Sequence, residues 1–581
     1  MKKVLFVAML CTLWAHAQYT VKDGSELLNL RKVAQEKVYV HHSAPVIFSG
    51  EYLYYKIYCQ NTQTNRLSRI SSMAYVNLID SQGQVVFEHK IKLEKGMGTG
   101  DFFVNTTVPS GNYKLVAYTQ WMKNGGVDQL FQDDVTIINP YMVDQSALLP
   151  EQAEAASQAV PAFEPSGQDL LEVQLGQSTL SNRTKATLQL RNYKGNLGHG
   201  NYSILVRKKD GLGERPNMSA ATYANAYLNA DKTIKQGVGD AIFLPEQRGE
   251  LFFGQLTDAA GNAAVDKTVI VSIPGKEHLL KSAITDETGH FYTYIRKDYK
   301  NPSSIVQVLE EGDYTVDLKK QKGLDFSQLE FGSFLLDENQ GDAIRQRSVY
   351  NQIENGFFSV KPDSILPKEE IDVFDGGIPE VFVLDEYTRF PTLEETLIEI
   401  LNTVGYRNGG KGNDYIRVAQ EFEKFNEPYN DYQAIVLIDG VFIPNHESIK
   451  EFDARNIKTI KVLRDELALG STPYQGLVAI ETFDGDFYET YTNKNSVSSA
   501  LELPMPRKNY FRQQFNTVDG SESNIPDYRN VLLWEPFVNL DGTELQFEFF
   551  TSDVSGEFEI ILEGFTSYGK PVSLRKTIAV N

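Results

Sequence analysis

Through residues 37–140, apolar runs of strand-like alternation are separated by turn residues, the pattern of antiparallel sheets with one face turned to a core. The run 74–79, the turn Asp80-Ser81-Gln82-Gly83 and the run 85–87 predict a hairpin. Pro109-Ser110-Gly111-Asn112 predicts a turn that launches residues 113–118, with Tyr113, Leu115 and Ala117 on one face. These elements predict a β-sandwich over 37–140. Between 144 and 168 the composition shifts to Ala, Gln, Glu and Pro without sustained periodicity, which predicts a linker. A second β-sandwich is predicted over 169–246, where Ala186, Leu188 and Leu190 alternate with Lys185, Thr187 and Gln189, and Tyr202, Ile204 and Val206 repeat the pattern. A third is predicted over 249–320 and a connecting region over 321–384. A last sandwich is predicted over 505–581, with Leu545, Phe547 and Phe549 on one face, a turn through 551–556, and Trp534 read as core.

Residues 385–490 break this all-β pattern. Thr392 and Glu395 form the sequence of a capping box, and Leu393, Leu397, Ile400, Leu401 and Val404 fall on one helical face before Gly405, which predicts a helix over 393–404. The apolar run 434–438 predicts a central strand, Asp439-Gly440 a tight turn, and the runs 456–465 and 474–482 two further strands. The fold class expected from these patterns is multidomain and mainly β: tandem β-sandwiches plus a small α/β unit.

A length of 581 residues fits about three to five domains. Lys and Arg number 56 against 77 Asp and Glu, for a net charge of −21, and no basic cluster interrupts the acidity, so a nucleic-acid partner is not expected. With 41% hydrophobic residues the chain can bury real cores, and its two cysteines are too few for a disulfide scaffold. Lys2 and Lys3, the apolar run 4–14 and Ala15-His16-Ala17 read as a secretory signal peptide over 1–17, cleaved before Gln18. Leu10 before Cys11 argues against a lipid anchor. No later stretch reaches the 18 or so apolar residues of a membrane-spanning helix, so no transmembrane segment is expected. Cys59 lies in a strand-like run and reads as a small buried residue.

Several of these segments carry resemblances. Gly254-x-Leu256-Thr257-Asp258, a central strand, and Thr285-Asp286-x-x-Gly289-x-Phe291 resemble the carboxypeptidase regulatory, transthyretin-like β-sandwich. Phe48-Ser49-Gly50-Glu51 before a long strand, with Pro109-Ser110-Gly111-Asn112-Tyr113 near the end, resembles the macroglobulin-type sandwich, and 505–581 is again similar to it. Asp439-Gly440 after a strand, Ile457-x-x-Ile460-x-Val462-Leu463-Arg464-Asp465, and Tyr474-x-Gly476-x-Val478-x-Ile480-x-Thr482 resemble, in order and spacing, the plug domain of TonB-dependent outer-membrane receptors. The matching positions are Asp439, Gly440, Arg464, Asp465, Tyr474 and Gly476. In that family the plug fills a 22-stranded barrel. A barrel needs some 22 strands of about ten residues each plus loops, and the chain from Thr482 to Asn581 is too short to supply them. The whole layout is similar to exported proteins of Bacteroidetes-type bacteria that carry a plug-like domain without its barrel.

None of the eight His shows His-x-x-Glu or His-Glu-x-x-His spacing, and His41-His42, adjacent on a strand, face opposite sides. Cys59 is followed by Gln60-Asn61-Thr62 and not by the Cys-x-x-Gln of a macroglobulin thioester. There is no phosphate-binding Gly-x-x-x-x-Gly-Lys loop and no Gly-x-Ser-x-Gly elbow, and Gly96-Met97-Gly98-Thr99-Gly100 reads as a turn. The acidic loop 258–266 lacks EF-hand spacing and reads as a solvated turn. A carboxylate pair for glycoside hydrolysis could be assembled by the fold without leaving a trace in sequence spacing.

No catalytic, cofactor-binding or metal-binding residue is therefore assigned, and no cofactor is expected. The expected function is that of a non-enzymatic cell-envelope protein, exported and periplasmic or outer-membrane associated. Its plug-like domain would dock to an outer-membrane β-barrel or envelope protein complex, with the sandwiches as spacers. The alternative is a macroglobulin-like binding protein for exported proteins, proteases or host surfaces. The export signal makes a direct prediction: intact-mass analysis of the secreted chain should give a species that begins at Gln18, and a product retaining residues 1–17 would contradict it.

Overall fold

The computed structural model describes residues 19–149, 163–209, 212, 217–228, 234–295, 299–368, 370–410, 413–420, 432–515 and 524–581. It is mainly β and multidomain, built from sandwiches and one α/β unit.

The first sandwich faces a sheet of Glu36–His42, Tyr52–Asn61, Arg66–Leu67 and Met97–Phe103 against a five-stranded sheet in the order Val46–Phe48, Phe131–Ile138, Gly111–Tyr118, Met73–Ile79, Val85–Lys92. The predicted hairpin pairs Met73–Ile79 with Val85–Lys92, and its turn is held by the Asp80 carboxylate, which accepts from the backbone N–H of Gln82 and Gln84. Tyr113, Leu115 and Ala117 are buried as read, but so are Lys114 and Val116. The second face is covered because residues 321–336 of the connecting region lie across it, placing Phe326 and Leu329 in the same core. The outer face of the other sheet carries Tyr39, His41, Lys56 and Tyr58, and it too is buried, against a second sandwich.

That second sandwich corrects the predicted domain boundaries. The modules expected over 169–246 and 505–581 are two halves of one fold. Gly200–Lys208 is hydrogen-bonded to Val531–Leu540 on one side and to Gly556–Thr566 on the other, while Lys185–Asn192 lies between Leu171–Leu175 and Glu544–Phe550. Leu188, Leu190, Tyr202, Ile204 and Val206 from one half pack with Val538, Phe558, Ile560 and Leu562 from the other. The β pattern of the first half stops at Lys208. Residues 217–228 and 234–246 instead strap back over the first sandwich, where Tyr223, Ala224 and Leu228 enter its core and Ile234 and Ile242 pack with Val21, Leu27 and Trp121. Trp534 is 5% exposed and sits at the seam between these two sandwiches, beside Leu205, Ile561, Tyr54 and Tyr510.

The third sandwich has one sheet of His290–Ile295, Glu250–Asp258 and Tyr314–Leu318, and another of Leu279–Ile284, Thr268–Ile273, Ser303–Val308 and Ser496–Ala500. The last of these strands comes from beyond the α/β unit. Asp258 and Asp286 close their turns by accepting backbone N–H groups two and four residues on.

The α/β unit is a sheet in the order Glu380–Val383, Ile457–Leu469, Thr472–Thr482, Ile435–Ile438, Val441–Phe442, so it begins a few residues before the predicted boundary at 385. Helix Leu393–Ile400 starts where expected, with the Thr392 hydroxyl accepting from the Glu395 N–H at 3.2 Å. It ends earlier than predicted. Leu401 turns extended (φ −104°, ψ 98°), and Val404 and Gly405 enter a hairpin of Val404–Arg407 with Tyr415–Val418. Leu393, Leu397 and Leu401 still face the core, because a helix and a following turn can satisfy the same apolar stripe. The connecting region also holds a helix, Gly341–Gly356, which braces the first sandwich: Arg347 pairs with Glu51 at 2.7 Å and the Asn351 amide donates to the Ser49 carbonyl.

The shared second sandwich can be tested by truncating Leu562, which is wholly buried among residues of both halves. Leu562→Ala should cost about 2–5 kcal/mol in chemical denaturation. A shortened chain lacking residues 531–581 should lose strand signal from 171–208 as well, measured by hydrogen exchange. Retained protection there would refute the shared fold.

Candidate functional site

The six positions singled out from the sequence fall in the α/β unit, and most of them serve its internal construction. Asp439 and Gly440 both have positive φ (49° and 84°), and they join Ile435–Ile438 to Val441–Phe442 in a two-residue hairpin. The Asp439 carboxylate accepts from the backbone N–H of Thr482 at 2.8 Å, the Thr482 hydroxyl at 2.6 Å and the Phe487 N–H at 3.2 Å. It thereby ties this turn to the end of the adjacent strand. Gly440 has no room for a side chain, since a Cβ would collide with His278 of the third sandwich. Alongside it the Gly275 N–H donates to the Asp439 carbonyl at 2.8 Å. The turn is thus a contact between the α/β unit and its own neighbour.

Arg464 donates from Nε to the Ala419 carbonyl at 2.8 Å and from Nη2 to the Gln420 carbonyl at 2.5 Å, and it lies 3.7 Å from Glu380. Asp465 is exposed, within the irregularity where the register between Ile457–Leu469 and Thr472–Thr482 shifts. Tyr474 is fully buried with its ring edge-on to Phe442, and burial pushes its phenol up to about 12. Gly476 has φ +81°, and a Cβ there would lie 2.5 Å from the Val418 Cβ and 2.9 Å from the Leu463 carbonyl. It is glycine because the Tyr415–Val418 hairpin crosses the sheet at that point.

One face of the α/β sheet carries Ile435, Leu437, Leu463, Leu477 and Ala479, and it packs on Ile270 of the third sandwich. A cleft of about 280 Å³ opens beside this junction, lined by His278, Lys458, Lys461, Glu481 and Asp484 among others. Lys461 is already paired with Glu481. The opposite face of the sheet is covered by helix Leu393–Ile400 and the hairpin. Outward from there stands Ile398, 62% exposed, while on the edge strand Glu380–Val383 Phe382 packs on the helix side and Val381, 53% exposed, points to the other face, beside Lys461.

The residues weighed for chemistry are dispersed. His41 Nδ1 lies 2.6 Å from the Ser203 hydroxyl and His42 Nε2 lies 2.9 Å from Asp133, so the pair diverges as the strand geometry requires. His446 is lowered to about 4 by burial, and its Nδ1 accepts from the Ile416 N–H. Cys59 is buried, which pushes its thiol up. Among the described residues no group of three or more His, Cys, Asp or Glu is placed to hold a metal ion, and no helix is long and apolar enough to cross a membrane. The sequence reading missed a set of ionisable side chains buried between sandwiches: Lys56, Lys90, Glu246 and Glu563. The signal that could have found two of them is a charge inside an apolar run, Lys56 within 52–59 and Glu563 within 560–565.

No family model and no curated protein matches the chain. Among solved structures it is similar to trypsin-activated alpha-2-macroglobulin from Escherichia coli, at 9% identity over 97% of this chain and 43% of that one, with a TM-score of 0.23. It is also similar to Salmonella alpha-2-macroglobulin reacted with methylamine, at 8% identity over 97% and 40%, TM-score 0.23. A third similarity is to a tetra-tandem repeat in the extending region of a large adhesion protein, at 10% identity over 94% and 99%, TM-score 0.13. The chain spans well under half the length of the macroglobulins it matches. Similarities of this degree fix neither a family nor an activity.

The structural roles of the six residues predict a graded response in thermal melts. Asp439→Ala removes the acceptor for three hydrogen bonds and should cost about 1–3 kcal/mol. Gly476→Ala combines a left-handed backbone with a close contact and should cost at least as much. Asp465→Ala should leave the melting temperature unchanged.

Proposed function

We propose that the protein is a non-enzymatic, exported envelope component that presents its plug-like α/β unit to an outer-membrane β-barrel or an associated protein complex. The observation that carries this reading is the mounting of the unit. Its sheet is fastened by one face to the third sandwich, through Ile270, while its helix side and the edge strand Glu380–Val383 are left outward. On this reading a partner meets the helix side at Ile398 and the exposed edge strand at Val381, and the sandwiches act as an interlocked frame more than as a string of spacers. The turn Asp439-Gly440 belongs to the frame.

The second reading, a macroglobulin-like binding protein, draws on a different surface. A cleft of about 400 Å³ on the first sandwich is lined by the half-buried Tyr52 and the exposed Phe103, Tyr141 and Phe358, and exposed aromatic rings of this kind suit an apolar segment of a bound protein.

The two readings separate in one experiment. Tagged full-length chain is used to capture partners from gently solubilised envelopes, beside the double variant Val381→Glu/Ile398→Glu and the variant Phe358→Ala. Co-purification of an outer-membrane barrel that is lost in the double variant and kept in Phe358→Ala supports docking. Absence of any barrel, or capture indifferent to Val381 and Ile398, overturns it. A soluble exported protein lost only in Phe358→Ala supports the second reading.

A further inference from the structure

The third sandwich and the α/β unit are joined to the first sandwich across a seam built around two carboxylates. Glu246 is 1% exposed. Its carboxyl accepts from the Tyr75 hydroxyl, 3.2 Å from each oxygen, and from the Leu251 N–H at 3.2 Å, while its own carbonyl accepts from the Ser72 N–H at 2.9 Å. Four residues on, Glu250 accepts from Lys90 at 2.7 Å and from the Tyr299 hydroxyl at 2.5 Å. Lys90 also donates to the Glu502 carbonyl at 2.8 Å, and the Met505 N–H donates to the Lys90 carbonyl at 2.8 Å. The chain passes from the first sandwich into the third at 246–251 and returns at 502–505, and one network holds these two crossings, beside the further passage through 319–371 that carries the connecting region.

We propose that Glu246 is a proton-operated latch on this seam: protonated, it keeps the crossings shut; on losing its proton it places a second buried charge beside Glu250 and loosens them. The inference concerns how the outer part of the molecule is mounted and holds whatever that part binds. Among the described residues Lys90 is the cation bonded to this pair, and its bonds go to Glu250, Tyr299 and the Glu502 carbonyl, so none of them reaches the Glu246 carboxyl. Burial, reinforced by the Glu250 charge, raises the Glu246 carboxyl to about 7, against the opposing pull of the Leu251 N–H, Lys90 and Tyr75. The other titratable groups that face it are Tyr118, Tyr294, Tyr299 and Lys123. The tyrosines are raised by burial, away from this range, and Lys123 is lowered by burial to about 8, so it begins to titrate at the upper end of the range, after Glu246. A carboxyl raised on closure stabilises the closed seam fully below its ordinary value near 4.5, and that stabilisation is lost as pH rises towards 7.

Hydrogen–deuterium exchange of the full chain at pH 5.5 and 7.5, corrected for intrinsic rates, tests this. In the wild type, peptides covering 72–76, 246–252 and 502–506 should open on the order of twentyfold more at pH 7.5, the ratio that linkage gives for this displacement. The strand Thr472–Thr482 should be unchanged. Glu246→Gln, neutral at both pH values, should abolish the difference. Tyr75→Phe, which removes a hydroxyl that favours the ionised form, keeps the test decisive should Glu246→Gln misfold, and it should move the opening midpoint upward. Equal protection of the wild type at both pH values, a wild-type pH response in Glu246→Gln, or an unmoved midpoint in Tyr75→Phe would overturn the latch.

Discussion

Strand Gly200–Lys208 has hydrogen-bonded neighbours on both sides, and both arrive from the far end of the sequence, Val531–Leu540 and Gly556–Thr566. Everything between is an excursion that must leave this sheet and return to it. The entropy of closing so long a loop grows only slowly with its length, so the cost is tolerable, but it has to be offset by contacts made along the way. The structure makes them by turning outer sheet faces into seams. The first sandwich is covered on both sides, by the second sandwich on one and by residues 321–336 on the other, and the third sandwich is covered by the α/β sheet.

The seam between the first and second sandwiches buries ionisable groups. Lys56 is buried, donates to the Tyr202 carbonyl at 2.9 Å and lies over the Tyr58 ring, and burial lowers its ammonium to about 7. Glu563, in the same seam, accepts from the Ala220 N–H at 2.8 Å and the Ser573 hydroxyl at 2.7 Å, and burial raises it to about 7. These two groups are satisfied by neutral partners, without an ion pair between them. Such groups add little net stability, yet they are costly to leave unpaired, so they fix which face meets which.

The sequence made faces legible and left neighbours hidden. Ala186, Leu188 and Leu190 announce an inward face through alternation, and Asp439-Gly440 announces a two-residue turn as one of the few residue pairs that tolerate two positive φ angles in succession. Alternation does not name the strand alongside, so the union of 171–208 with 531–580, and the addition of Ser496–Ala500 to the third sandwich, could not be read. Lys114 shows the same limit from another side. A polar residue at a supposedly outward position is buried because a distant segment covers it, with its ammonium on Asp134 and 5.9 Å from the centre of the Phe331 ring. At the α/β unit the order of motifs located the strands, while the use of Gly440 and Gly476 as points of close approach depends on what lies opposite, His278 and Val418.

The interleaved second sandwich also sets a timetable. A chain is made from one end, and residues 171–208 are complete long before 531–580 leave the ribosome, so their strand edges wait without partners while the rest of the molecule is synthesised. The first sandwich draws its strands from 36–138 and can close early, apart from its later coverings. The second cannot close until nearly the whole chain is available. Its nascent strands are therefore the part of this protein with most need of a chaperone, and damage to residues 531–580 would be felt as aggregation nucleated by residues some three hundred positions earlier.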